Sequence, residues 1–398
     1  MINQIAPELV IRGHAVSVLT GLPNYPEGVI LKEYRHGRRR NETIEGVNVI
    51  RCFETGRGKS KVKLLFGYLS YAFSASIRAK RLNDMFDVIL VYQTSPVLMA
   101  YPATVLKKKR KIPILLYCLD IWPESAQAHV RNDRGILYKF IAKISGSIYR
   151  QCDRIAVTSK PFISYMKRVN GIAEGKMSYL PQHGDGCFLN MNLDSIDNSV
   201  ADFMFAGNLG HGQTLEVIIQ AAAILKERQD FLIHLVGEGS RQKALESLAR
   251  ELGVADKVVF HGRFPTSDMA KMYRMADALL ITLRGNNEVG NTMPGKLQAY
   301  MTVGKPIFGA INGAANEVIT ESGCGACVAS GDSKGLATLM LEYIEHPERF
   351  IDCGKKAKDY FTKHFTLSIF LNGLENELLN TINMGQNKPL AGESAGVR

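Results

Sequence analysis

Residues 290–310 read GNTMPGKLQAYMTVGKPIFGA. Pro294 suits the first turn of a helix, where its fixed φ is already helical and its missing N–H is not needed. Gly304 suits the left-handed residue that ends one. The residues after it, 306–310, are apolar and short enough for a buried strand. A helix that hands over to a strand through one glycine is part of a β-α-β unit. The same alternation runs through the whole chain, the pattern of parallel sheets covered by helices on both faces.

Working outward, strands are expected at 15–19, 47–52, 87–92, 114–118, 154–158 and 177–180, then at 203–205, 231–236, 258–261, 278–283, 306–310 and 326–329. Amphipathic helices such as 215–227 and 241–252 fall between them, and the polar stretch 191–199 separates the two series. The expected architecture is therefore α/β, with two doubly wound domains at 1–194 and 195–382 and a polar, disordered tail at 383–398. The opening is unusual. Ile2, Ile5, Leu9 and Val10 form a helical stripe ending at Gly13, ahead of the strand 15–19. Doubly wound domains normally open with a strand and a glycine turn, so the first strand is expected to be absent here.

Charge divides with the domains. Of 49 basic and 38 acidic residues, 29 and 16 lie in residues 1–200, a net +13, against −2 for residues 201–398. The N-terminal half therefore meets something anionic, nucleic acid or a lipid surface. Seven scattered cysteines form no disulfide framework and point to a reducing compartment. Cys324 and Cys327 lack the further ligands a zinc site needs and read as small residues in a strand and its turn. The apolar stretch 88–106 is interrupted by Pro96, Pro102 and Gln93-Thr94-Ser95, so it reads as strand, loop and helix and not as a membrane span.

In open parallel sheets ligands sit beyond the carboxyl ends of the strands. In the second half those segments are GNLGHGQT (207–214), GEGS (237–240), GRFP (262–265) and the stretch to Lys296. Glycines at helix entries expose backbone N–H groups that bind phosphate without a cationic side chain. Lys296 falls in a first helical turn, opposing the helix dipole unless an anion binds there. In the first half, LDIWPESA places Asp120 and Glu124 around Trp122 at a strand end. The two carboxylates could form an acid/base or sugar-hydroxyl pair, or Asp120 could cap the following turn. Among the histidines only His183 and His211 sit at ligand-facing positions.

The helix expected at 61–80 carries Leu65, Leu69, Phe73 and Ile77 on one stripe among basic residues. Ordinary amphipathicity turns such a stripe to the core, with the lysines solvated. The competing reading lays it on an anionic bilayer. The aromatics do not interleave with the basic residues, which disfavours nucleic acid.

The motifs RGHAVSVLTGLPNYPEG, FDVILVYQTSP, LDIWPESA, RIAVTSK, YLPQ, FAGNLG, LVGEGS and PGKLQAYMTVGKPI together resemble glycosyltransferase family four over residues 5–382. DIWPES combined with PGKLQAYM is most similar to the WbuB-type N-acetyl-L-fucosamine transferases of bacterial O-antigen and capsule assembly. The resemblance implies a GT-B fold, two Rossmann-like domains with a cleft between them, and retaining transfer. The donor would be a UDP-sugar bound by the C-terminal domain. The acceptor would be a saccharide on undecaprenyl diphosphate, met by the N-terminal domain at the anionic inner-membrane surface.

Carried onto this sequence, the implied donor-binding residues are Gly207, Asn208, Gly210, His211, Glu238, Arg263, Phe264, Asn291, Thr292, Pro294, Gly295, Lys296 and Gln298. Asp120 and Glu124 would meet the reacting sugar and acceptor. Asn24, Tyr25, Lys61, Lys63 and Trp122 would lie on the acceptor or membrane side. Two departures from the family stand out. Asn291 and Ala299 replace a pair of glutamates, and Asn208, His211 and Gln213 occupy a turn where many members carry Arg and Lys.

No metal, cofactor or nucleic acid is expected, and the implied location is cytoplasmic, peripherally attached to the inner membrane. The alternatives are a UDP-hexosamine 2-epimerase-like enzyme of the same fold and an inactive, truncated paralogue.

Overall fold

The computed structural model describes residues 2–24, 28–58, 60–126, 135–195, 199–285 and 292–386. The chain forms two compact units, one running up to Leu180 and resuming at Leu371, the other Pro181–Phe370.

The first unit opens with helix α1 (Ile2–Ile11), which buries Ile5, Ala6 and Leu9. It leads into β1 (Ser17–Thr20), followed by the hairpin strands β2 (Asn41–Ile44) and β3 (Val47–Arg51). Then come α2 (Lys61–Lys80), β4 (Ile89–Gln93), α3 (Tyr101–Arg110), β5 (Ile114–Cys118), α4 (Ile136–Gln151), β6 (Arg154–Val157), α5 (Lys160–Asn170) and β7 (Met177–Tyr179). The strands make two separate sheets, β1-β3-β2 and β4-β5-β6-β7. All pairings are parallel except β2 with β3, and among the described residues no ladder joins β1 to β4. Side chains bridge them: Ile50, Ala79, Leu82, Leu106 and Ile112 form one buried cluster, with Leu19 and Ile89 against it.

The second unit contains β8 (Ala201–Ala206), α6 (Glu216–Ile224), β9 (Phe231–Val236), α7 (Gln242–Glu251), β10 (Val258–Gly262), α8 (Met269–Met275) and β11 (Ala278–Thr282). It continues with α9 (Gly295–Val303), β12 (Ile307–Ala310), α10 (Gly313–Ser322), β13 (Gly325–Val328), α11 (Ser333–Glu345) and α12 (Cys353–His364). One parallel sheet runs β10-β9-β8-β11-β12-β13, with separate apolar cores on its two faces. The strand order reverses between β8 and β11, the switch point where such sheets bind ligands.

Every expected strand is present to within a few residues. The hairpin strand β2 was not anticipated, because its polar sequence NETI pairs at a sheet edge with little burial. Two boundaries also differ. The expected division near residue 194 lies at 180/181, because Phe188 and Leu193 are buried in the core of the second unit and Gly184 N–H donates to Phe365 O at 2.9 Å. The rest of the expected disordered tail lies outside the described residues, but residues 383–386 belong to α13 (Leu367–Gln386). Its Glu375 pairs with Arg12 at 2.6 Å and His14 at 2.9 Å, and its Glu377 with Arg154 at 2.8 Å, which returns the helix to the first unit. All seven cysteines are free.

Candidate functional site

In the second unit the turns after β8 and β9 lie backbone against backbone. Gly207 N–H donates to Val236 O at 2.8 Å, Leu209 N–H to Glu238 O at 2.9 Å, and Gly237 N–H to Gly262 O at 2.7 Å. A Cβ on Gly237 would stand 1.9 Å from Gly207 O, and one on Gly239 2.3 Å from the Leu209 carbonyl. With φ of 153° and 133°, Gly207 and Gly237 also occupy backbone conformations that L side chains rarely adopt. Glycine here is a condition of the two strand ends meeting.

Helix α9 is tied to the same place. Buried Tyr300 donates its hydroxyl to Ala206 O at 3.2 Å and accepts from Ala206 N–H at 2.7 Å. Lys296 lies four residues earlier, on the same helix face and one turn nearer the N-terminus. Its ammonium donates to Gln213 Oε1 at 2.6 Å and lies 3.6 Å from the centroid of the Phe205 ring. A Cβ on Gly207 would come within 3.0 Å of Nζ. No carboxylate pairs with Lys296 among the described residues, and burial pushes its pKa down to about 7. A cation enclosed by a ring, an amide and a glycine turn attracts an anion, and the first turn of α9 adds backbone N–H groups.

The remaining donor-side candidates fall into groups. Gly210, Asn208 and His211 form the loop above this turn, with Asn208 and His211 exposed, and the loop is tied down where Arg284 N–H donates to Gly212 O at 3.0 Å. Glu238 and Arg263 are exposed at the ends of β9 and β10, and Phe264 packs on the core below. Thr292 precedes α9, whose N-cap is Pro294 and whose first residue is exposed Gly295; the expected helical position of Pro294 is thus one residue early. Gly304 closes the helix in the left-handed conformation, as expected. Gln298 does not join the site: it is buried and donates to Gln182 O, anchoring the segment that enters this unit. Asn291 lies outside the described residues.

In the first unit Asp120 follows β5, half-buried, and burial alone raises its carboxyl pKa. Trp122 joins this loop to the one after β4 by donating Nε1–H to Ser95 Oγ at 3.1 Å, and its own N–H donates to Tyr149 OH at 3.0 Å. Glu124 is occupied differently. Tyr138 and Tyr165 both donate hydroxyls to its Oε1, at 2.6 and 2.8 Å. Glu124 is thus held by tyrosines of α4 and α5, whereas the carboxyl of Asp120 is shaped by burial alone.

Asn24, beyond β1, is buried and donates Nδ2–H to Leu22 O at 2.8 Å and to Glu54 Oε1 at 2.6 Å, and its Oδ1 has no partner among the described residues. Glu54 was missed by the sequence reading. Burial raises its pKa while the Leu22 backbone N–H, Arg57 and Asn24 oppose the rise, and Gly21 leaves room for its carboxylate. Its signal was present: Glu54 is the one acid in residues 51–83. Lys63 is exposed on α2; Tyr25 and the side chain of Lys61 lie outside the described residues.

Comparison with known proteins follows the same two-part division. A family model described as Glycosyltransferase Family 4 matches residues 1–182, and one described as Glycosyl transferases group 1 matches residues 195–360. The D-inositol 3-phosphate glycosyltransferase of Thermomonospora curvata is 26% identical over 156 residues, 37% of this chain and 35% of that protein. The chain spans less than half the length of the first curated relatives it matches.

Among solved structures, sucrose-phosphate synthase from Thermosynechococcus elongatus superposes with a TM-score of 0.72 at 15% identity, over 95% of this chain and 92% of that one. Anabaena HepE, in a complex with UDP, does so with a TM-score of 0.67 at 13% identity, over 92% and 100%. These likenesses establish the GT-B fold, two Rossmann-like domains. Each half of the chain thus matches one glycosyltransferase family model.

Proposed function

We propose that this protein is a retaining glycosyltransferase that moves a sugar from a UDP-sugar to a lipid-linked saccharide. The observation that carries the reading is the Lys296 ammonium, enclosed beside the Gly207 turn and the N-terminus of α9 with no carboxylate partner among the described residues. A nucleoside diphosphate supplies the missing charge. As the bond from the sugar to the diphosphate breaks, negative charge grows on the departing phosphate, and groups aimed there are worth more in the transition state than in the ground state. Lys296 and the backbone at Gly295 and Gly210 take that role, and Asp120 meets the sugar and the accepting hydroxyl. The complex of HepE with UDP supports uridine as the nucleoside.

The likeness of DIWPES and PGKLQAYM to WbuB-type enzymes supports N-acetyl-L-fucosamine as the sugar and O-antigen or capsule assembly as the setting. An acceptor on undecaprenyl diphosphate fits the basic N-terminal half. The test is UDP titration by calorimetry followed by a screen of UDP-sugars read by UDP release, with and without a lipid-linked acceptor. Saturable UDP binding and acceptor-dependent release from one UDP-sugar are expected. Absence of UDP binding overturns the reading, and interconversion of UDP-N-acetylhexosamines at C2 without acceptor replaces it with an epimerase.

A further inference from the structure

Helix α2 meets the protein through small residues. Gly67 comes so close to Gly56 that a Cβ would stand 3.0 Å from its carbonyl oxygen, and Ala72, Ala75, Ser76 and Ala79 are buried along the same helix. The core-facing stripe expected from periodicity is thus corrected: Leu65, Leu69, Phe73 and Ile77 are all exposed, Phe73 by 71%.

The close packing ends at Ala79. Beyond it Arg81, Asn83 and Asp84, together with Arg78 on the last turn, line a hollow of about 360 Å³ whose other wall is Asn41 of β2 and Asn48 of β3. Buried Ile50 and Leu82 supply its apolar lining. The volume is that of a small-molecule site. None of these residues belongs to the donor-side or acceptor-side candidates. Residues 81–84 lead into the amino end of β4, whereas the ligand-side loops leave the carboxyl ends of the strands.

The charges in the hollow are not neutralised by the protein. Arg78 and Arg81 stand one turn apart on the helix, a like-charged pair that repels. Arg78 donates to Asn41 Oδ1 at 3.2 Å, a neutral amide. Among the described residues neither guanidinium pairs with a carboxylate, and Asp84 pairs with no cation. The basic residues next to them are engaged elsewhere: Lys109 and Arg110 donate to the carbonyls of Lys80 and Leu82, and Arg110 also to Asp84 O at 3.3 Å. Those two cations cover the negative end of α2, which leaves Arg78 and Arg81 to an anion from outside.

The lining defines that anion. Two guanidiniums recognise a phosphate or a carboxylate. The Asp84 carboxylate accepts hydrogen bonds only, so it repels a bare anion and favours a ligand that also brings hydroxyl donors. Three asparagine amides offer both donors and acceptors to such hydroxyls. Ile50 and Leu82 meet the C–H face of a ring.

We propose that this hollow is a binding site for an anionic monosaccharide, a sugar phosphate or a uronic acid, separate from the sites of sugar transfer. The proposal goes beyond the transferase reading and does not depend on it.

Calorimetry on the full chain tests it, with UDP present in excess and D-glucose 6-phosphate, D-glucuronate, D-glucose and inorganic phosphate as titrants. Saturable binding of glucose 6-phosphate or glucuronate is expected, at least tenfold tighter than that of glucose or phosphate, and the better of the two identifies the anionic group. Arg78→Gln/Arg81→Gln should weaken it about tenfold or more with an unchanged melting temperature, since both side chains are exposed. Asp84→Asn should weaken the sugar anion while strengthening inorganic phosphate. UDP affinity should be the same in every variant, which assigns the loss to the hollow. Absence of saturable binding, phosphate bound as tightly as either sugar anion, binding that excess UDP abolishes, or binding untouched by the arginine substitutions overturns the proposal.

Discussion

The Lys296 ammonium stands 3.6 Å from the centroid of the Phe205 ring and finds an amide oxygen, not a carboxylate, as its hydrogen-bond partner. A cation–π contact contributes about 0.5–2 kcal/mol, less than the cost of withdrawing an ammonium from water. The pKa near 7 is the result, and it makes the site sensitive to pH in a definite direction.

UDP binding should therefore weaken as pH rises past about 7, because the neutral amine attracts no phosphate. At pH 8, bound UDP should restore the proton to Lys296. Calorimetry in buffers of different ionisation enthalpy should show net proton uptake, absent in Lys296→Met, whose affinity should fall about tenfold to a hundredfold. The stability of the unliganded protein runs the other way. Between about 7 and the ordinary value of 10.5 the unfolded chain holds the extra proton, so this group makes stability rise with pH across that window.

Gly237→Ala should destabilise the second unit by about 3 kcal/mol or more and abolish UDP binding, since the added methyl would meet Gly207 O at 1.9 Å. Gly212→Ala, with open space around the new methyl, is the matched control and should shift the melting temperature little. Thermal denaturation and UDP titration of both proteins check the pair.

Asp120→Asn and Glu124→Gln should separate cleanly. The first should depress turnover far more than UDP affinity and remove an acid limb of the pH profile lying above the ordinary aspartate range. Glutamine at 124 can still accept from Tyr138 and Tyr165, so turnover should change only a few-fold, whereas Glu124→Ala should cost about 1–3 kcal/mol of stability. Steady-state kinetics and denaturant titration distinguish these outcomes.

Asn24→Ala should remove a hydrogen bond to the Glu54 carboxylate and raise its pKa further. The expected signature is a higher KM for acceptor with unchanged UDP affinity. Equal losses in both would assign Asn24 to the fold alone.

Much of this was legible in the sequence because it is local. Pro294, Gly304 and the glycines at 207 and 237 specify backbone conformations, and alternating apolar runs specify strands. The direction in which a helix faces is not local. Periodicity in α2 fixed the spacing of Leu65, Leu69, Phe73 and Ile77, but Gly67, Ala72, Ala75 and Ala79 decided which side touches the protein, through close approach to a neighbouring backbone. The partners of Glu124 were hidden for a related reason: a carboxylate near Asp120 in sequence accepts from two tyrosines of helices α4 and α5. Tyr300 was passed over because its hydroxyl partner, Ala206, lies 94 residues away. The return of α13 to the first unit rests on ion pairs some 360 and 220 residues apart, beyond any local pattern.

Because β1 and β4 share side chains but no backbone ladder, the first unit is built as two plates held by a greasy joint. Glu54 and Asn24 ride on one plate, Asp120 and Trp122 on the other. Among the described residues no strand-to-strand hydrogen bond crosses that joint, so apolar contact at the Ile50–Leu106 cluster, and not a ladder, sets the spacing of these side chains.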